Sequence, residues 1–168
     1  MAGFAAWLET TGLATWTRES PSLWAYPTVL TLHTVGLGIV VGANAVIDLR
    51  LLGFAPRVPA PTLAPLFRLI WWAFALNAAT GVLLFMADAV IKSKQPVFYA
   101  KLTLIALALW NTALIKPIVK GDRPRPDAHD TPDAPDTNIA TGRAKRLAVV
   151  SLLLWTGAIT AGRLMAYL

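Results

Sequence analysis

Four long runs of hydrophobic residues, separated by stretches rich in charge or proline, set the pattern of this chain. An α-helix rises 1.5 Å per residue, so about 20 apolar residues cross the roughly 30 Å hydrocarbon core of a bilayer. Each run reaches that length, which predicts an all-α fold: an integral membrane four-helix bundle forming a single domain over residues 1–168. The predicted spans are about residues 21–48, 66–87, 97–119 and 147–168.

The first run has a polar side. At 100° per residue, the side chains of Asn44 and Asp48 return to within roughly 60° of the direction of His33. We therefore expect this helix to turn three polar groups toward other helices rather than toward lipid.

Two pairs of small residues predict where helices pack closely. Gly38 and Gly42 lie on the side of the first helix opposite its polar face, and Gly157 and Ala161 form a similar pair in the last helix. Small residues four apart let two backbones approach each other.

The segments outside the four runs differ from them in composition. Residues 3–18 place Phe4, Trp7 and Leu8 along one side, which predicts an N-terminal interfacial helix; a frayed terminus is the alternative. Residues 121–142 hold four prolines and five aspartates with one large aliphatic residue, which predicts a disordered loop.

Composition and charge narrow the class of protein. With 56% hydrophobic and 14% charged residues, the chain is too apolar for an ordinary soluble domain. The absence of cysteine excludes disulfides and thiolate chemistry. The net charge is +6, but the basic residues flank the apolar runs, so we assign them to membrane orientation and expect no nucleic-acid partner.

The distribution of Lys and Arg predicts how the chain crosses the membrane. Connectors 1–2 and 3–4, with their flanking residues, carry ten of these residues, and the opposite side carries five. The positive-inside rule then places both termini in the periplasm and loop 121–142 in the cytoplasm of a bacterial inner membrane.

A predicted outer polar cluster consists of His33, Asp88, Lys101 and Arg163, each in the outer part of its span. An ionisable side chain in hydrocarbon costs at least about 2.5 kcal/mol near the centre, so we expect Asp88 to pair with Lys101 or Arg163. These groups either brace the rim of the bundle or line a substrate or ion site.

A predicted inner polar cluster consists of Asn44, Asp48, Arg50, Arg68 and Asn111, near the cytoplasmic boundary. Asp48 and Arg50 are two apart and do not face each other on a helix, so Asp48 is expected to pair with Arg68 or with another helix. Bracing and ligand recognition are both open for this cluster.

His33 admits three roles: a hydrogen bond to a neighbouring helix, a proton relay, or ligation of haem b or another metal. The second histidine, His129, lies in the predicted loop. A bound haem would therefore need Met86, Met165, a second subunit's His33 or an open position. No recognised catalytic motif is present, which favours a non-enzymatic function.

Two segments carry a resemblance, LHTVGLGIVVGANAVIDLRLLGF and TGVLLFMADAVIKSKQPVFYAKLTLIALALWNTAL. Together they resemble a family of small bacterial inner-membrane proteins known only as a domain of unknown function. The resemblance covers residues 19–114 and implies a helical inner-membrane protein without naming an activity. There is a fainter similarity to b-type cytochrome and copper-resistance membrane domains. The matching residues are His33, Gly36, Gly42, Asp48, Arg50, Gly53, Gly81, Phe85, Phe98 and Lys101.

These observations predict a polytopic, non-enzymatic membrane subunit or small transport-type protein with two polar clusters. The alternative is a haem-binding electron-transfer module that uses His33. The expected partners are the lipid bilayer and either further copies of this chain or another membrane subunit.

Overall fold

The computed structural model describes residues 2–121, 142–165 and 167, which form helices joined by turns and contain no strand. A 3-10 turn at Ala60–Leu63 precedes the fourth helix. The helices are α1 (Ala2–Glu9), α2 (Gly12–Glu19), α3 (Tyr26–Leu52), α4 (Ala64–Ala87), α5 (Ala89–Lys92), α6 (Pro96–Lys120) and α7 (Gly142–Leu164).

Four of these helices, α3, α4, α6 and α7, are long and apolar enough to cross a membrane by length and composition. Many large apolar side chains point outward; Trp72, Trp110 and Leu153 are 69%, 69% and 66% exposed. Apolar exposure on this scale marks a surface that meets something other than water. The prediction of an all-helical chain with four candidate membrane spans is confirmed.

Helix α3 begins and ends later than the sequence pattern predicts. It starts at Tyr26 because Pro27 fits the first turn, where no backbone N–H is needed. It continues through Asp48 to Leu52, and Gly53 ends it at φ 106°, a left-handed conformation that glycine adopts without strain.

The segment predicted as one interfacial helix over residues 3–18 is two helices, α1 and α2, so its predicted continuity is wrong. The hydroxyls of Thr10 and Thr11 each donate to a carbonyl of the preceding turn at 2.7 Å. Thr11 then caps α2 by accepting a hydrogen bond from the Ala14 N–H. Threonine side chains at these positions favour a helix boundary over continuation.

At the C-terminal side, α7 begins at Gly142 and ends at Leu164, earlier at both ends than predicted. Residues 122–141, which make up most of the predicted loop and include His129, lie outside the described residues.

The long helices pack side by side: α3 lies between α4 and α7, α6 packs on α7, and α4 and α6 touch little. Large buried side chains in the core include Val40, Ile47, Ile70 and Ile115.

Helices α1 and α2 lie against the end of α4. The Glu9 carboxylate accepts from the Val90 N–H at 2.8 Å, and Arg18 donates to the Ala87 carbonyl at 3.3 Å. We call this the outer end of the helices, and the opposite end the inner end.

Candidate functional site

Gly36 sets the spacing between α3 and α4 beside the first polar site. A Cβ at Gly36 would lie 3.2 Å from the Ala73 carbonyl oxygen and 3.3 Å from the Asn77 nitrogen. Both are backbone atoms, so only glycine fits without moving one helix. The close approach brings His33, three residues before Gly36, against α4.

The imidazole of His33 is held by α4. Its Nδ1 lies 2.9 Å from the backbone carbonyl oxygen of Asn77 and 3.2 Å from the Thr80 hydroxyl. A carbonyl oxygen only accepts, so we assign the proton to Nδ1, which leaves a lone pair on Nε2. The side-chain amide nitrogen of Asn77 in turn donates to the backbone carbonyl of His33 at 2.6 Å. A Cβ at Gly81 would lie 3.1 Å from His33 Cε1, so this glycine makes room for the ring.

Two adjoining spaces of about 310 and 450 Å³ open beside His33. We call them together the outer cavity; their size falls in the range of small-molecule sites. The smaller space runs between α4 and α6 past Phe74, Ala78 and Ile105 and is lined mostly by apolar side chains. The larger one reaches Met165. Both are lined by His33, Gly81, Phe85, Phe98 and Lys101.

Two aromatic rings line the outer cavity between α4 and α6. Phe85 and Phe98 stack with centroids 5.0 Å apart and planes inclined by 14°. This stacked pair joins two helices that otherwise touch little.

The charges around the outer cavity pair differently from the prediction. Asp88 forms an ion pair with Lys92, whose Nζ lies 3.1 Å from Asp88 Oδ2, so the predicted pairing of Asp88 with Lys101 or Arg163 is wrong. Lys92 is four residues after Asp88, which places it within easy reach.

Lys101 and Arg163, the two predicted partners, occupy different surroundings. Lys101 is half-buried, lines the cavity and makes no hydrogen bond or ion pair with any described residue. Arg163 is exposed and lies outside the residues that line the cavity. His33, Asp88 and Lys101, three of the four residues of the predicted outer polar cluster, therefore line the same space.

A second polar site lies in the inner half of the helices. The Thr112 hydroxyl of α6 donates to Asn44 Oδ1 of α3 at 2.8 Å, and the Asn44 amide nitrogen donates to the Val40 carbonyl at 2.9 Å. The first of these bonds joins two helices that do not lie side by side. Asn111 donates to the Leu147 carbonyl at 2.9 Å and so ties α6 to α7.

Asp48 is the unusual member of this inner site. The residue is 1% exposed, and neither carboxylate oxygen has a hydrogen-bond partner among the described residues. Ser151 of α7 lies beside it, and within residues 2–121 and 142–165 the Ser151 hydroxyl and the Trp155 indole N–H are likewise buried without a hydrogen-bond partner. We call Asn44, Asp48, Thr112, Ser151 and Trp155 the inner polar core. A carboxylate buried without a partner is costly unless it takes up a proton or a cation.

The two arginines of the predicted inner cluster lie elsewhere. Arg50 donates to the carbonyls of Val58 and Pro56, so it braces the connection after α3. Arg68 is exposed because its neighbours Phe67 and Ile70 take the buried side of α4. The predicted pairing of Asp48 with Arg68 is therefore wrong.

Sequence reasoning missed three members of the inner polar core. Thr112 adjoins Asn111, and Ser151 is a small hydroxyl residue inside an apolar run. Neither residue is therefore marked by its sequence context as a member of a buried polar site. Trp155 was indistinguishable from a lipid-facing tryptophan, but it is 3% exposed.

An apolar layer separates the two polar sites. Val40, Ala73 and Ala108 are all buried at intermediate positions along their helices. His33 and Asn44 are eleven residues apart, or about 16 Å along α3.

The small-residue pairs have different surroundings. Gly38 and Gly42 have nothing within 4 Å, so no described part of the chain packs on them. A Cβ at Gly157 would lie 3.4 Å from the Leu104 side chain of α6, and Ala161 is 7% exposed. The pair in α7 thus packs against α6 of the same chain, and the pair in α3 faces away from the other described helices.

Metal and cofactor ligands are few. Among the described residues, no group of three His, Cys, Asp or Glu side chains is arranged to hold a metal ion. Met165 lines the larger part of the outer cavity together with His33, whereas Met86 does not line it. No protein-family model, no curated protein and no solved structure matches this chain.

Proposed function

We propose that this chain is a non-enzymatic, transport-type protein of the bacterial inner membrane, in which Asp48 takes up and releases a proton or a monovalent cation. The four long helices would act as a transmembrane bundle, with both termini in the periplasm. The observation that carries the proposal is Asp48, a residue that is 1% exposed and whose carboxylate has no hydrogen-bond partner in the part of the chain that the structure describes.

The surroundings of Asp48 support an exchangeable occupant. An ionisable residue inside a membrane segment is costly, and such residues commonly mark ion pathways or proton relays. Ser151 of α7 places a hydroxyl beside Asp48, and Asn44 lies one helical turn before Asp48 on α3, where Thr112 and the Val40 carbonyl hold its side-chain amide. Oxygen atoms of this kind can solvate a cation or hydrogen-bond a protonated carboxyl group.

The ends of the helices support the membrane orientation. In α1 and α2 the aromatic side chains Phe4, Trp7 and Trp16 are exposed, as expected for helices lying at a membrane interface. At the inner end, Arg68, Lys116 and Lys120 fit the cytoplasmic side.

The first test is flux through proteoliposomes that contain the purified protein. We expect the wild type to move protons, read by an internal pH-sensitive dye, or sodium, read by radioactive uptake, under an imposed membrane potential. Asp48→Asn should lower this flux at least about tenfold because it removes the exchangeable charge. Glu19→Gln, which removes an exposed carboxylate that pairs with Arg18, should leave it unchanged.

Two results would contradict the proposal. One is a wild-type protein that moves neither protons nor sodium above the level of empty liposomes. The other is a flux that Asp48→Asn leaves intact.

A second candidate function is supported by a separate observation. With its proton assigned to Nδ1, His33 has a free lone pair on Nε2, and Met165 lines the same cavity, so these two residues would hold the iron of a haem, which would supply electron transfer. If the chain is an electron-transfer module, the protein purified from haem-supplemented cells will show a Soret band that His33→Ala abolishes. Colourless wild-type protein would reject this candidate.

A further inference from the structure

A groove at the inner end lies outside both polar sites. It has a volume of about 320 Å³ and lies between the first turns of α4 and the last turns of α6. We call it the inner groove; it is lined by Ala64, Phe67, Arg68, Trp71, Trp72, Lys116 and Lys120.

Three cations from two helices line this groove. Lys116 and Lys120 are four residues apart on α6 and so share one side of that helix, and Arg68 faces them from α4. No Asp or Glu among the described residues lines the groove, and none of the three cations forms an ion pair with a described residue. Like charges held in one space repel each other, so an anion is the complementary occupant.

The other lining residues indicate where that anion comes from. Trp71 and Trp72 are 44% and 69% exposed beside the three cations. Tryptophan is enriched at the level of lipid headgroups, where its ring meets both apolar chains and polar groups. The groove thus combines charge for a phosphate with an aromatic surface for the start of an acyl chain.

We infer that the inner groove binds the headgroup of an anionic phospholipid, whose phosphate lies among Arg68, Lys116 and Lys120. The Arg68 guanidinium can hold two phosphate oxygens at once, and the lysines supply further charge-assisted hydrogen bonds. The inference does not depend on Asp48 or on the transport proposal.

The occupant can be tested by fluorescence on the full chain in detergent micelles. Phosphatidylglycerol with brominated acyl chains quenches tryptophans that it contacts, and brominated phosphatidylcholine serves as the uncharged reference. We expect phosphatidylglycerol to quench at lower concentration. Each cation near a membrane surface strengthens the attraction by about fivefold, so three give a preference on the order of a hundredfold.

Matched variants separate a built site from general surface charge. The triple variant Arg68→Gln, Lys116→Gln, Lys120→Gln should lose the preference for phosphatidylglycerol. The triple variant Arg143→Gln, Lys145→Gln, Arg146→Gln removes the same charge from α7 at the same end and should keep it. If the first triple variant fails to fold, the single variant Arg68→Gln should weaken phosphatidylglycerol binding by about fivefold.

Three outcomes would overturn the inference. The wild type could bind both lipids equally, or the two triple variants could lose the preference to the same extent. Inorganic phosphate could also displace phosphatidylglycerol at equal concentration, which would mean a site for a small anion instead of a lipid.

Discussion

Gly36→Leu is expected to lower the free energy of unfolding by at least about 3 kcal/mol or to prevent folding. A Cβ at this position would already lie 3.2 Å from a backbone oxygen of α4, and a leucine adds three more carbons there. Overpacking of a close contact typically costs about 1–3 kcal/mol, and more when the neighbour cannot move. The thermal midpoint in detergent, followed by tryptophan fluorescence, measures the effect.

The matched control lies two residues further along the same helix. Gly38 has nothing within 4 Å, so Gly38→Leu should leave the midpoint of the monomer within about 2 °C. Equal loss of stability in both variants would mean that α3 and α4 do not meet at Gly36. If Gly38→Leu instead changes only the oligomeric state, the outward-facing glycine pair is where a second subunit packs.

Asp48→Asn is expected to raise the free energy of unfolding by about 2 kcal/mol at pH 8, which corresponds to about 5 °C in the thermal midpoint. The change keeps the shape of the side chain and removes a buried charge for which the described residues supply no partner. Removing a paired charge would have the opposite sign, because its partner would be left uncompensated.

The sign of this change distinguishes an exchange site from a brace. A lower midpoint for Asp48→Asn would mean that the carboxylate holds helices together through a partner. A higher midpoint together with lost flux is expected when the residue is retained for ion exchange at the expense of stability.

The four long apolar helices could be predicted from sequence because each is marked by many residues and not by one. Twenty or more apolar residues leave few alternatives to a span, so four helices were found even though their ends shifted. The ends depend on single residues. Pro27 marks the first turn of α3 instead of a bend, and the hydroxyls of Thr10 and Thr11 divide the N-terminal segment.

The polar sites were only partly predictable because periodicity describes one helix at a time. It placed His33, Asn44 and Asp48 on one side of α3, and the structure puts each of them in contact with the interior or with α4. It could not give the partner of Asp48, since Arg68 points away from the interior only because Phe67 and Ile70 occupy the buried side of α4. Nor could it find Ser151, which depends on how α7 is rotated against α3.

How closely α3 packs on α4 also could not be predicted from one helix alone. The sequence offers the spaced pair Gly38 and Gly42 as the obvious place for a close approach, but the narrow contact is at Gly36. Which glycine faces a neighbour is decided by where Asn77 and Ala73 lie on α4, and that information is absent from α3 alone.

The stacked rings of Phe85 and Phe98 have a consequence for access to the outer cavity. An aromatic pair contributes about 0.5–1.5 kcal/mol beyond its buried area, which is close to thermal energy. Because α4 and α6 touch little apart from this pair, we expect these two helices to separate more easily than α3 and α4, which pack closely at Gly36. In the proposed membrane placement, we expect molecules dissolved in the hydrocarbon to enter sideways between α4 and α6 and to reach Lys101 without first crossing the aqueous boundary.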